Sequence, residues 1–291
     1  MPPALLFVAG GMSMYVGAAL AVGLFPRVAP STVAVLRLLG AAAVLLAWRR
    51  PGHAAWRGGR VRRAALFGLV TGLMNVAFYE AVARLPLGTA VAVEFCGPVF
   101  VAAVASRRAR DVAAVVLAGV GVLLIADVRW SGSPSGVLWA LAAAVLWAGY
   151  IVLGKRLAGG GTGLDDMATG FALAAVALSP LLLIVGPEGL SVLADPPVVT
   201  LAVGVGVLSS VVPYVLDQVV LRRVGRARFA VLLALLPVVA AVVGFVTLAQ
   251  VPGLLEAAGI AAVITAVVLR SRDGDETASI TLSEPAGEHR A

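Results

Sequence analysis

Long apolar stretches separated by short polar turns run along almost the whole chain. Ten such stretches can be marked, and each is near the length of about 20 residues that a helix needs to cross a bilayer. They cover residues 4–25, 31–48, 64–84, 86–106, 110–127, 135–155, 167–186, 197–220, 229–249 and 251–269. The stretches lack the alternation of membrane strands, and lipid offers no partner to unpaired backbone groups. The pattern therefore predicts an all-α polytopic membrane protein with ten transmembrane helices.

The composition agrees with a lipid environment and narrows the chemistry. Of the 291 residues, 61% are hydrophobic and 13% are charged, whereas a soluble domain has roughly 25% charged residues. A water-soluble globule and a disordered chain are both excluded. The single cysteine, Cys96, and two histidines leave almost no ligands for a metal. We find no H-E-x-x-H, G-x-S-x-G or phosphate-loop motif, so we expect neither an enzyme nor a bound cofactor.

Basic residues concentrate in alternate turns. Eighteen of the 22 fall on one side of the predicted membrane and three on the other, while Arg37 lies inside the second stretch. This asymmetry predicts that both termini are cytoplasmic. The net charge of +7 then reflects orientation, and we expect no nucleic-acid partner. The polar tail, residues 271–291, is predicted to be a disordered cytoplasmic segment.

The chain contains a weak internal repeat. A shift of 139 residues places Pro98 on Pro237 and Arg84 on Arg223. The repeat divides the chain into two five-helix units, 1–132 and 133–270. Because five is odd, the second unit enters the membrane from the opposite face, which gives a 5+5 inverted-topology repeat.

Inverted repeats commonly place a substrate site near the membrane midplane, between the halves and beside interrupted helices. Three prolines inside the apolar stretches predict such interruptions, because each removes a backbone donor. They are Pro98, Pro213 and Pro237.

Charged residues at membrane depth are the strongest candidates for function, because a charge costs roughly 2.5 to 3.5 kcal/mol at the centre of a helix. Glu94 lies mid-membrane, one turn before Pro98. It could exchange a proton, or it could stay protonated and bond a neighbouring helix. Arg37 needs an acidic partner, carbonyl groups or an anionic ligand; a structural role at the interface is equally open.

Three further acidic residues lie nearer the membrane surfaces. Asp217 belongs to a polar patch with Ser210, Pro213 and Tyr214, although it could also be a surface residue near the following arginines. Glu80 stands four residues before Arg84, a spacing that predicts an interfacial ion pair. Glu256 is interpreted in the same way as Glu80.

Several amide and aromatic side chains could line a polar cavity. Asn75 and Tyr79 share a face of the third predicted helix, and Trp147 and Tyr150 share a face of the sixth. Tyr214 shares a face with Asp217. Packing against lipid or against other helices is the alternative interpretation for the aromatic residues.

Two sequence blocks carry a resemblance to a known family. The run from Met74 to Tyr79, followed by that from Leu85 to Pro98, resembles the EamA-type drug/metabolite transporter superfamily. Within it the chain is most similar to the inner-membrane threonine/homoserine exporters. The segments around Arg37, Tyr150 and Asp217 are also similar, although those exporters carry Glu where this chain has Asp217.

The resemblance implies ten helices in a 5+5 inverted repeat and export of small metabolites across the bacterial inner membrane, coupled to protons. We interpret the chain as a secondary exporter working by alternating access, with amino acids such as threonine or homoserine as substrates. Glu94 would be the proton-coupling or amine-binding group, and Arg37 its counter-charge or a carboxylate contact. Other metabolites or drugs, a channel, and a membrane assembly factor are the alternatives. The oligomeric state, a homodimer included, is left open.

Labelling of the chain ends tests the predicted orientation. Ten crossings are an even number, so tags added at either terminus should both face the cytoplasm. An impermeant reagent should modify them only after the membrane has been opened. Modification of one end alone in intact cells would contradict the assignment.

Overall fold

A computed structural model describes residues 2–105, 109–130, 133–157, 163–184, 195–233 and 235–271. Throughout these ranges the regular structure is helical and no strand is present. The segment 272–291, predicted to be disordered, lies outside the described residues. The fold class is therefore all-α, as predicted.

Thirteen α-helices follow one another along the described ranges. They are α1 (Pro3–Val22), α2 (Pro30–Arg49), α3 (Gly58–Val82), α4 (Leu87–Glu94), α5 (Cys96–Ala105), α6 (Ala109–Trp130), α7 (Pro134–Leu157), α8 (Gly163–Leu178), α9 (Leu181–Ile184), α10 (Pro196–Gly206), α11 (Val212–Leu233), α12 (Leu235–Leu248) and α13 (Leu254–Ser271). One turn of 3₁₀-helix, His53–Trp56, precedes α3, and a π-helical turn, Val207–Val211, joins α10 to α11.

The thirteen helices group into ten segments in the predicted order. The fourth segment comprises α4 and α5, the seventh α8 and α9, and the eighth α10, the π turn and α11. One boundary was predicted wrongly: residues 221–228 were expected to form a turn, but they continue α11 to Leu233. Gly225 is the only poor helix former among them, and one glycine costs only about 1 kcal/mol.

Five helical stretches are long and apolar enough to cross a membrane, judged by length and composition: Pro3–Val22, Pro30–Arg49, Gly58–Val82, Pro134–Gly154 and Pro196–Asp217. Four shorter apolar helices accompany them: Leu87–Val101, Val112–Ile125, Leu235–Leu248 and Leu254–Leu269. This repertoire is that of a multi-pass membrane protein.

Prolines mark where several helices begin. A proline is the first residue of α1, α2, α7 and α10, at Pro3, Pro30, Pro134 and Pro196. At this position the missing N–H has no intrahelical partner to lose, and the fixed φ suits the helix. The sequence thus sets these boundaries through local chemistry.

Glycines bring helices of the two predicted halves into backbone contact. A Cβ atom added at Gly68 on α3 would collide with the carbonyl oxygen of Gly170 on α8. One added at Gly121 on α6 would lie 2.7 Å from the carbonyl oxygen of Gly259 on α13. In a membrane, where van der Waals packing drives helix association, such close approach stabilises the fold.

Two ion pairs join helix ends beside the α3–α8 contact. Arg49 Nε on α2 lies 3.0 Å from Asp165 Oδ1, and Arg60 Nε on α3 lies 2.5 Å from Asp166 Oδ1. Both aspartates begin α8, where the helix dipole also favours negative charge. The start of α8 is thereby fixed against two helices of the first predicted half.

The α3–α8 contact generates a stability prediction. Gly68→Ala should destabilise the protein by about 1–3 kcal/mol, because the added methyl group forces the helices apart. Gly119→Ala is the matched control, since a Cβ at Gly119 meets nothing within 4 Å. Thermal unfolding in detergent should give a lower Tm for the first variant only, and equal Tm values would contradict the prediction.

Candidate functional site

The guanidinium of Arg37 is the centre of a buried polar cluster. Arg37 lies on α2 and is 7% exposed. Its Nη1 donates to Asn75 Oδ1 on α3 at 2.7 Å, and its Nη2 donates to the Ser209 carbonyl at 2.9 Å and to Ser210 Oγ at 3.2 Å. The ring of Tyr79 lies beneath it, 5.4 Å from the guanidinium carbon. Carbonyl and side-chain oxygens thus satisfy much of this buried charge.

The acceptor at Ser209 exists because of a local break in the helix. Pro213, four residues later, has no N–H to offer the Ser209 carbonyl. A π turn at this point loosens the helix further, a feature often found at functional sites. Two hydroxyl groups tie the turn to α1: Ser209 Oγ donates to the Met14 carbonyl at 3.1 Å, and Ser13 Oγ donates to the Leu208 carbonyl at 2.8 Å.

Glu94 stands at a second break, at the end of α4. All eight residues of α4 are buried, and Glu94 is 8% exposed. Pro98 leaves the Glu94 carbonyl without its usual donor four residues on. Arg37 and Tyr15 lie within electrostatic range of the Glu94 carboxyl group. Among the described residues, however, that carboxyl group forms neither a hydrogen bond nor an ion pair.

Two more polar atoms of the cluster lack a partner in the part of the chain that the structure describes. They are Arg37 Nε and the hydroxyl oxygen of Tyr79, which is 1% exposed. The cluster therefore offers two donors and, at Glu94, one unpaired carboxyl group. Buried polar groups without partners are costly, so this arrangement suits a polar guest with groups of both kinds.

The remaining predicted residues divide between two regions. Trp147 packs edge-on against Phe95, with ring centroids 4.6 Å apart, and so adjoins the break at Glu94. Tyr150 packs against Phe67 at 5.0 Å, within a separate apolar cluster of α2, α3 and α8. The structure thus brings Trp147 to the Glu94 break, whereas Tyr150 packs in the other cluster.

The patch predicted on α11 is only partly described. Ser210 reaches Arg37, whereas Asp217 is half-buried and makes no hydrogen bond or ion pair within the described residues. The side chain of Tyr214 lies outside the described part. Pro98 stands in the first turn of α5, after the break at Phe95, and Pro213 in the first turn of α11, after the π turn; Pro237 lies in α12.

Glu80 and Glu256, the two acidic residues predicted to lie near the outer membrane surface, have different surroundings. Glu80 forms the predicted ion pair with Arg84 and also accepts the Ser31 N–H at 3.1 Å. Glu256 lies in the first turn of α13, is 1% exposed and accepts a hydrogen bond from Thr89 on α4. Burial at this position is set by packing against α4, which is remote in sequence.

Sequence reasoning also missed Tyr15, Ser209 and Thr89. Tyr15 is one of two aromatic residues in α1, and Thr89 is the single hydroxyl residue in α4; no spacing signal marks either of them. Ser209 could have been found, because Pro213 lies four residues beyond it and frees its carbonyl.

The Arg37 network generates a prediction. Lysine carries its three donors on one nitrogen in place of the planar fork, so in Arg37→Lys it cannot reach both Asn75 and the π turn. Losing one such charge-assisted hydrogen bond should cost about 1.5–3 kcal/mol. Arg27→Lys, at an exposed position, is the control. Unfolding in detergent should show a lower Tm only for the buried substitution; an unchanged Tm would show that the network does not stabilise the fold.

Known proteins share both the sequence and the fold. The EamA-like transporter family profile matches residues 134–272. Threonine/homoserine exporter RhtA of Salmonella typhimurium (strain LT2) is 34% identical over 251 residues, covering 85% of this chain and 84% of the relative. Its namesake in Escherichia coli K12 is 32% identical over 267 residues, covering 91% and 89%.

A solved crystal structure of a protein that is 22% identical shares the fold, with a TM-score of 0.59 over 94% of this chain and 98% of its own. The sequence relatives exceed 30% identity over most of their length and are named as exporters. The chain therefore belongs to the EamA-like transporter family and is a membrane transporter, not an enzyme.

Proposed function

We propose that this transporter exports small amino acids of the threonine and homoserine type across the bacterial inner membrane by a mechanism coupled to the proton gradient. The names of the relatives support the substrate class. One observation carries the mechanism: Glu94 is buried in the apolar core, within electrostatic range of Arg37, and its carboxyl group has no hydrogen-bond or ion-pair partner among the described residues. A zwitterionic amino acid presents one group for each of these two charges.

Glu94 binds the substrate ammonium group or the coupling proton. Both tasks need a carboxyl group that is not already held by another side chain. Arg37 is the counter-charge or the contact of the substrate carboxylate, through its unpartnered Nε atom. The Tyr79 hydroxyl is a second donor on the same side of the cluster, and the Asn75 amide holds the guanidinium in place.

Trp147, Tyr150 and Tyr214 complete the proposed lining of the path. The edge-on contact of Trp147 with Phe95 supports its place beside Glu94. Tyr150 contacts Phe67 and would border the path from the α8 side. Asp217 would lie farther along the path, six residues beyond the end of the π turn at Val211.

Alternating access follows from two inverted halves, residues 1–132 and 133–270. Pro98 and Pro237, which lie 139 residues apart and each inside a helical segment, support this division. The family profile, over 134–272, also coincides with the second half. Rocking of the halves would expose the Arg37–Glu94 cluster to each side in turn.

Efflux from loaded vesicles tests the role of Glu94. Glu94→Gln keeps the shape of the side chain but removes its charge, so efflux of labelled threonine should fall by at least about tenfold, the factor for one charge-assisted hydrogen bond. Glu80→Gln is the control, because Glu80 forms an ion pair with the partly exposed Arg84 near the end of α3. Surface ion pairs contribute little, so this variant should retain most of its activity.

Two outcomes would overturn parts of the proposal. Unchanged efflux by Glu94→Gln at normal protein level would remove Glu94 from the mechanism. If the parent protein shows counterflow of neither threonine nor homoserine, the proposed substrate class is wrong. A wider panel of metabolites, tested in the same vesicles, would then identify the solute.

A further inference from the structure

A second buried polar cluster lies at the end of α4 remote from Glu94. Thr89, fully buried on α4, donates its hydroxyl hydrogen to Glu256 Oε1 on α13. Glu256 is 1% exposed and lies in the first turn of α13. An interhelical hydrogen bond to a carboxyl group at this depth fixes the separation of the two helices. The proposed transport mechanism makes no use of either residue.

Gln250 holds the same end of α4 through its backbone. Its side-chain oxygen accepts the N–H of Leu87, the first residue of α4, at 2.8 Å. The first N–H groups of a helix have no intrahelical partner, so this contact acts as a cap supplied by a different segment. Gln250 follows α12, so the cap crosses between the two predicted halves.

The turn that presents Gln250 is strained. Ala249 has a φ of 52°, in the left-handed region that residues with a Cβ atom avoid. This conformation turns the chain so that the Gln250 N–H donates to the Gly244 carbonyl at 3.1 Å. A Cβ at Gly244 would lie 2.9 Å from Gln250 Oε1, so glycine leaves room for the amide. Strain of this kind persists where surrounding contacts fix it.

α4 connects this cluster to Glu94 as a short rigid rod. It has eight residues, all buried, and spans about 10 Å. Leu87 and Thr89 are at one end and Glu94 is at the other. A displacement of the first end is therefore transmitted to the carboxyl group.

We propose that Glu256 and Gln250 are positioning residues that act through α4 to set the location of Glu94. This inference rests on the proposed role of Glu94 in transport. In this role Glu256 acts as the hydrogen-bond acceptor of Thr89. Gln250 serves as the cap of α4.

Matched substitutions separate the acceptor from the charge. Thr89→Val removes the donor at nearly constant volume, whereas Thr89→Ser keeps it. Glu256→Ala removes the acceptor, whereas Glu256→Gln keeps an amide oxygen in its place and loses the charge. Gln250→Ala removes the cap of α4 and leaves Thr89 and Glu256 unchanged.

Cys96 provides a readout that does not depend on transport. It is the only cysteine, lies two residues after Glu94 and is half-buried. Alkylation by N-ethylmaleimide in proteoliposomes therefore reports the local environment of the helix break. Thr89→Val, Glu256→Ala and Gln250→Ala should change its rate by about two- to tenfold, the range for loss of one neutral hydrogen bond, and should lower threonine efflux. Thr89→Ser and Glu256→Gln should match the parent in both measurements.

The outcomes are distinguishable. Parental alkylation rates in Thr89→Val and Gln250→Ala would overturn the positioning role. Loss of efflux in Glu256→Gln with a parental alkylation rate would overturn it as well, because Glu256 would then act through its charge. Altered alkylation with normal efflux would support the coupling of α4 to Glu256 and would count against Glu94 in the proposed function.

Discussion

A bilayer supplies no hydrogen-bond partners, so every polar group carried into it must be satisfied by protein or by a guest. Arg37 brings a buried guanidinium group that needs several hydrogen-bond acceptors. Asn75 on α3 and the π turn at Ser209 and Ser210 supply acceptors for its Nη atoms, and these contacts tie α2 to helices from both predicted halves. The groups around it that have no partner among the described residues are the ones proposed to bind the solute.

Prolines link the local sequence to this arrangement. Pro98, Pro213 and Pro237 each stand four residues after a residue whose carbonyl loses its regular donor: Glu94, Ser209 and Leu233. At Ser209 a side chain from another helix takes the vacant position. At Glu94 the same local chemistry accompanies the proposed ion-coupling group. At both positions a proline removes the backbone donor and leaves a carbonyl oxygen available as an acceptor inside the membrane.

The sequence predicted the ten segments well because apolar length is a local property. It also placed Asn75 and Tyr79 on one face of α3, where both contact Arg37, since helical periodicity determines that spacing. The burial of Glu256 and the separation of Tyr150 from Arg37 could not be predicted, because each depends on helices remote in sequence. The continuation of α11 beyond residue 220 was missed because the end of the apolar stretch was interpreted as the end of the helix. The basic run that follows interrupts the apolar pattern but does not break a helix.

The paired glycines have a mechanical consequence. Interlocked side chains must be withdrawn and repacked before two helices can shift, because protein interiors are close-packed. Where Gly68 faces Gly170, the atoms nearest to an added Cβ are main-chain atoms of the other helix, whereas side chains of Val263 and Ile125 also lie close to the contact of Gly121 with Gly259. Under the proposed alternating access, the Gly68–Gly170 contact is the line along which α3 and α8 would roll with the least repacking of side chains.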